Sequence, residues 1–161
     1  MTQNEKAVRF QQLHHRAGAF LIPNPWDAGS ARILAGLGFE ALATSSGAAA
    51  ATFGRRDGKL TRDEALASAR AIVNATDLPV SADLKNGFGD RAEIVAETIH
   101  LAAAAELVGC SIEDFTGNTE RPLYEIEFAS ERIAAAAAPQ FGLEPMAGIE
   151  PFFPRLRAKY A

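Results

Sequence analysis

The sequence of 161 residues holds a single cysteine, Cys110, so no disulfide can form within the chain. That usage suits a reducing compartment, and the expected location is the cytoplasm. No apolar stretch approaches the ~20 residues a membrane span requires. The first nine residues, Met1 to Arg9, are polar and mixed in charge, without the apolar core of a secretory leader. No basic run interleaved with aromatics occurs. The formal net charge is -4 and the pI about 5.4, which argues against nucleic acid or an anionic membrane as the main partner. A third glycine is missing from Gly87-x-Gly89, so it is no dinucleotide fingerprint, and no phosphate-loop lysine motif appears.

What is present is alternation. A helix over Asn4–Arg16 is expected to turn Val8, Phe10 and Leu13 inward. Short apolar runs at Ala19–Ile22, Glu40–Ser45, Leu78–Leu84 and Leu107–Ile112 read as strands. Between and after them, helical spacing runs over Trp26–Leu37, from Thr61 to about Ala75, from Asp90 onward, and over Tyr124–Ala138. Thr61 followed by Glu64 has the form of a capping box. Ser46–Thr52 reads as a small-residue stretch and Gly54–Lys59 as a polar turn. Strands that are continuous apolar runs, each returned by a helix, imply a parallel α/β sheet buried on both faces. Doubly wound sheets and (β/α)-barrels both satisfy that pattern. A flavodoxin-like binding domain would need a phosphate loop after its first strand, and Pro23-Asn24-Pro25 has too few N–H groups to form one.

Ligands in such folds sit at the C-terminal ends of the strands. Each expected strand delivers polar groups there: Asn24 and Asp27, then Thr44-Ser45-Ser46-Gly47, then Asp83 to Asp90, then Glu113-Asp114. Carboxylates at two neighbouring strand ends suit a hard divalent cation. The same acids, read alone, could equally cap helices or face solvent, and Asp57-Gly58 could be a plain turn. Trp26 reads as a packed aromatic, Asp27 as an acid opening a helix, His14 and His15 as surface or packing residues, and Cys110 as a core residue.

The stretches Leu21–Gly47, Arg55–Glu64, Leu78–Asp90 (LPVSADLKNGFGD), Val108–Asp114 and Pro122–Ala136, taken in order, resemble the isocitrate lyase / phosphoenolpyruvate mutase family, in its phosphonopyruvate hydrolase and carboxyphosphonoenolpyruvate mutase-like branch. The resemblance implies a TIM-type (β/α) barrel. It also implies an enzyme that forms or breaks a C–C or P–C bond of a small 2-oxo or 2-hydroxy carboxylate, through an enolate-like intermediate stabilised by Mg²⁺ or Mn²⁺. By the same resemblance Ser45, Ser46 and Gly47 would hold the substrate carboxylate, Asp57 would act on a segment near metal and substrate, and Asp83 and Glu113 would hold the metal.

There are departures. The family's lyases carry a catalytic cysteine after the fourth strand, where this chain has Phe115–Arg121 and none. An Asp-x-Asp pair expected before the Gly-Phe-Gly turn has Ser81 at its first position, and Lys85 stands where related sequences are expected to carry an acid, which puts a cation near the metal site or else points it outward. About four βα units are foreseen, so that residues 1–138 read as the N-terminal half of a barrel and 139–161, with four of the eight prolines, as a divergent and poorly ordered tail. Half a barrel leaves open strand edges. The alternative expectation is therefore a non-catalytic half-barrel that pairs with itself or another chain, as a homo-oligomer or an edge-paired dimer.

Overall fold

The computed structural model describes residues 1–137. The tail expected at 139–161 lies outside the described residues. Helices alternate with short strands in the order α1 (Gln3–His15), α2 (Ala28–Gly36), β1 (Leu42–Ala43), α3 (Ser46–Thr52), α4 (Arg62–Asn74), β2 (Val80–Asp83), α5 (Ala92–Ala104), β3 (Gly109–Ser111) and α6 (Ile126–Ala136). The strands form one parallel sheet in the order β1-β2-β3, with Ala43 opposite Ser81 and Asp83 opposite Ser111.

The helix starts follow local chemistry. Thr2 and Thr61 cap α1 and α4, each in a capping box closed by the glutamate three residues on. Asp27 caps α2 in the same way with Ser30. On one side of the sheet Leu42, Val80, Ala82 and Leu84 pack with Leu66, Ala69, Ile72 and Val73 of α4. On the other, Phe10 and Leu13 of α1 pack with Ala41 and Val108. Gly109 is needed there because a Cβ would lie 2.9 Å from the Phe10 ring.

Five expectations are corrected. Ala19–Ile22 is not a strand. Pro23 and Pro25 have no N–H to give a ladder; the segment meets β1 through Ala43 N–H to the Pro23 carbonyl (3.1 Å) and the Asn24 side-chain amide to the Ala43 carbonyl (2.9 Å). Its residues alternate, with Phe20 and Ile22 against the α1 cluster and Leu21 76% exposed. Ser46–Thr52 is a helix, since Ser45 accepts from Ala48 N–H ahead of an alanine run. Trp26 is not packed but 64% exposed, and Val8 points outward. Asp90 does not cap α5, whose N-cap residue is Arg91; it accepts instead from the Tyr124 hydroxyl.

Candidate active site

A cavity opens at the C-terminal end of β1 and β2. Thr44, Ser45, Ser46, Asp57, Ser68, Asp83, Lys85 and Phe88 are among the residues lining it. It adjoins a larger cleft of about 320 Å³ that shares Asp57, Gly58, Leu60, Lys85 and Phe88 and adds Lys59, Asn86, Phe115 and Gly117.

Asp83, the last residue of β2, is held at both oxygens. Its Oδ2 accepts from Ser46 N–H at 3.0 Å and its Oδ1 from Lys85 N–H at 3.1 Å. Its own N–H donates to Thr44 Oγ1 at 3.0 Å. The carboxylate therefore joins the start of α3 to the loop after β2. Asp57 reaches the same cavity from the segment between α3 and α4. Arg55, paired with Glu64 at 2.8 Å, ties that segment to α4.

Lys85 Nζ donates to Asp57 Oδ1 at 3.2 Å. Partial burial disfavours the charged form of Asp57. The hydrogen bond and charge of Lys85, with the Ser46 hydroxyl and the Gly58 N–H, outweigh that effect and hold the carboxyl below the usual aspartate value. Lys85 and Phe88 both have left-handed backbones, with φ of 50° and 63°. Two of the three described non-glycine residues with positive φ thus lie in this one loop and line the cavity.

The chain belongs to the phosphoenolpyruvate phosphomutase family. The family's model, "Phosphoenolpyruvate phosphomutase", matches residues 10–146. A Burkholderia cenocepacia protein whose solved structure carries the provisional name lyase/mutase is 55% identical, with a TM-score of 0.82 over 84% of this chain and 48% of its own. The 2-methylisocitrate lyase of Halalkalibacterium halodurans is 37% identical over 114 residues, 70% of this chain and 38% of that protein. The 2,3-dimethylmalate lyase of Eubacterium barkeri is 33% identical over 110 residues, 67% and 38% respectively. The isocitrate lyase / phosphoenolpyruvate mutase resemblance is thereby established, as is a fold of the TIM-barrel type seen in such relatives. The chain spans less than half the length of these curated relatives.

Against the family pattern the residues divide. Ser45, Ser46, Asp57 and Asp83 come together on one cavity, and Gly47 packs beside Asp57, a Cβ there lying 3.7 Å from its Cγ. Glu113 is not on that wall; its N–H donates to the Lys85 carbonyl at 2.7 Å. Among the described residues no group of three or more His, Cys, Asp or Glu side chains converges as a metal cage. Ser81 lies beside Gly109 and outside the cavity lining, whereas Lys85, two residues beyond Asp83, is on it. Cys110 packs against the core, and burial pushes its thiol up to about 11, so it does not stand in for the cysteine absent from Phe115–Arg121. No helix among the described residues is long and apolar enough to cross a membrane. Lys85, whose direction the sequence leaves open, lines the cavity, while the sequence reading missed Arg132, an arginine of α6 with 1% exposure.

Proposed function

We propose that this cavity is the substrate-carboxylate end of an active site for a Mg²⁺- or Mn²⁺-dependent lyase or mutase. Its reaction would form or break a C–C or P–C bond of a small 2-oxo or 2-hydroxy carboxylate by way of an enolate-like intermediate. The observation that carries the reading is the convergence of Asp57, Asp83 and Lys85 with Ser45 and Ser46 at the C-terminal ends of parallel strands.

The donor set suits a hard cation. Mg²⁺ is held by one or two carboxylates plus water and substrate oxygens more often than by a full protein cage. Asp83 would be the principal ligand, pre-oriented by two N–H groups, with Glu113 contributing through water. The cation would supply positive charge where the enolate oxygen develops. The chain's own residues do the rest. The Ser45 and Ser46 hydroxyls and Gly47 N–H would bind the carboxylate, since Ser46 N–H is already given to Asp83. Lys85 and Lys59 make the adjoining cleft attractive to an anion. Asp57 would exchange its bond with Lys85 for one to the substrate and take or return a proton there. The expected setting is the cytoplasm.

The test is release of a 2-oxo acid from 2,3-dimethylmalate, 2-methylisocitrate and related 2-hydroxy dicarboxylates, and phosphoryl rearrangement of phosphonopyruvate, each with Mg²⁺ and with chelator. Turnover that survives complete chelation would sink the metal-dependent reading.

A second reading, a non-catalytic half-barrel paired through its edge, has its own support. Among the described residues β3 pairs only with β2, and Leu21, Trp26, Ile33 and Leu37 are each more than 60% exposed. Light scattering after size exclusion decides it, because a well-folded monomer would exclude edge pairing.

A further inference from the structure

Arg132 is buried, and among the described residues no carboxylate forms a salt bridge with it. Its guanidinium is spent on backbone carbonyls. Nε donates to the Asp90 carbonyl at 2.9 Å, Nη2 to those of Gly89 (2.9 Å) and Asn86, and Nη1 to that of Glu113 at 3.4 Å. The guanidinium carbon stacks over the Tyr124 ring, 4.1 Å from its centre. Tyr124 in turn donates its hydroxyl to Asp90 Oδ1 at 2.5 Å and accepts from the Asn86 amide at 3.1 Å.

The carbonyl acceptors all fall on the loop that follows β2 and on Glu113, two residues past β3. Thr98, itself fully buried, adds a bond from its hydroxyl to the Gly87 carbonyl at 2.8 Å. The carbonyls of residues 86, 87, 89 and 90 are thus drawn to side chains of α5 and α6. The residues between and beside them, Lys85 and Phe88, carry the left-handed φ values and line the cavity. Left-handed backbone at a lysine and a phenylalanine is unfavourable by itself and persists only where surroundings over-determine it.

We propose that Arg132 is the positioning residue of the site: by holding the carbonyls of Asn86, Gly89, Asp90 and Glu113 it keeps the loop after β2 in the strained shape that turns Lys85 and Phe88 into the cavity. The inference deepens the proposed function and rests on it for the role of the cavity, but the loop-holding itself can be tested apart. A guanidinium is suited to the task because its rigid fork carries five N–H donors, enough for four carbonyls, whereas an ammonium has only three.

The experiment compares the full chain with R132K and with I72V, a core deletion on α4. Two readouts are taken: amide hydrogen exchange, and binding of oxalate in the presence of Mg²⁺, oxalate being a mimic of a small enolate. R132K is expected to speed exchange at Gly87 and Glu113, whose N–H groups are bonded to Leu84 and Lys85 carbonyls, by about tenfold. It should weaken oxalate by about tenfold, whereas I72V lowers the melting temperature and leaves both local readouts unchanged. Exchange in residues 85–90 that is unaltered in R132K, or raised equally across the molecule, overturns the proposal. If R132K does not fold, Y124F is measured instead. It removes the hydroxyl links to Asn86 and Asp90, and the same local loosening supports the proposal while its absence overturns it. Failure of the unaltered protein to bind oxalate with Mg²⁺ sinks the functional reading alone, and the exchange data still decide the role of Arg132.

Discussion

Lys85 Nζ stands 3.2 Å from Asp57 Oδ1 and so bridges two segments that are far apart in sequence and meet only over the cavity. Asp57 comes from the turn between α3 and α4, Lys85 from the loop after β2. The pair places a positive charge beside Asp57 in a cavity whose lining also includes Asp83. Any anion entering the site must compete with Asp57 for this lysine.

Replacing Lys85 with methionine should release Asp57 from that bond. Burial then acts with less opposition, and the Asp57 carboxyl should titrate at higher pH than in the unaltered protein, measured by carboxyl carbon NMR. The sign for stability follows. A carboxyl whose pKa is lowered by folding stabilises the protein above its unfolded pKa, and that contribution fades as pH falls through the folded value. Lys85→Met should therefore lower stability near neutral pH and lose its effect in acid. Asp57 is half exposed, so screening limits the loss to about 0.5 kcal/mol. An Asp57 titration midpoint that does not rise would show that the ion pair is not populated in solution.

Cys110 should be inert in the folded protein. With its thiol pushed up to about 11, roughly one molecule in a thousand carries the thiolate at pH 8. A chromogenic disulfide reagent should modify Cys110 only in denaturant. Fast modification of the native chain would mean that β3 opens readily.

Much of this architecture could be read from residue order, and the failures have physical causes. The capping box at Thr61 and Glu64 was legible because it is purely local. Strands β1, β2 and β3 fall within expected apolar runs, though shorter. The segment at Ala19–Ile22 misled because an apolar run can be half-buried beside a sheet without laddering to it, and the two prolines that prevent laddering follow it. The helix at Ser46–Thr52 reads in sequence only as a small-residue stretch, although Ser45 before an alanine run is a helix start. Asp83, Asp57 and the serines line one cavity, and their order in the sequence alone does not bring them together. Arg132 could not be found by resemblance. Its signal was positional: Ala129, Arg132, Ile133 and Ala136 form the inward stripe of α6, and a lone cation on such a stripe must find partners.

Gly87 and Gly38 both have left-handed φ, 76° and 88°, but in different surroundings. A Cβ on Gly87 would meet Val95 Cγ2 at 2.9 Å and its Cα at 3.3 Å, whereas nothing lies within 4 Å at Gly38. Gly38→Ala should cost about 1 kcal/mol, the conformational penalty alone. Gly87→Ala adds a steric clash with α5 and should cost about 3 kcal/mol in urea denaturation. Equal losses at the two positions would show that the loop after β2 can lift from α5 freely.

Asp83 and Asp57 share the cavity but should lose unequal stability on amidation. Asp83 accepts at both oxygens from main-chain N–H groups of Ser46 and Lys85. In Asp83→Asn one of those acceptors becomes an NH₂ pointed at an N–H, and no rotation of the amide relieves both positions. A part-buried donor left facing a donor costs about 1 kcal/mol, and the loss should appear without any metal present. Asp57→Asn keeps an oxygen for Gly58 N–H and gives up mainly the exposed ion pair, a loss of about 0.5 kcal/mol. Chemical denaturation in chelator measures both. If the two variants were equally stable, Asp83 would not be fixed by α3 and the loop, and a pre-oriented metal ligand could not be claimed for it. If Asp83→Asn alone is destabilised, the same two N–H groups that stabilise the fold also aim the carboxylate into the cavity.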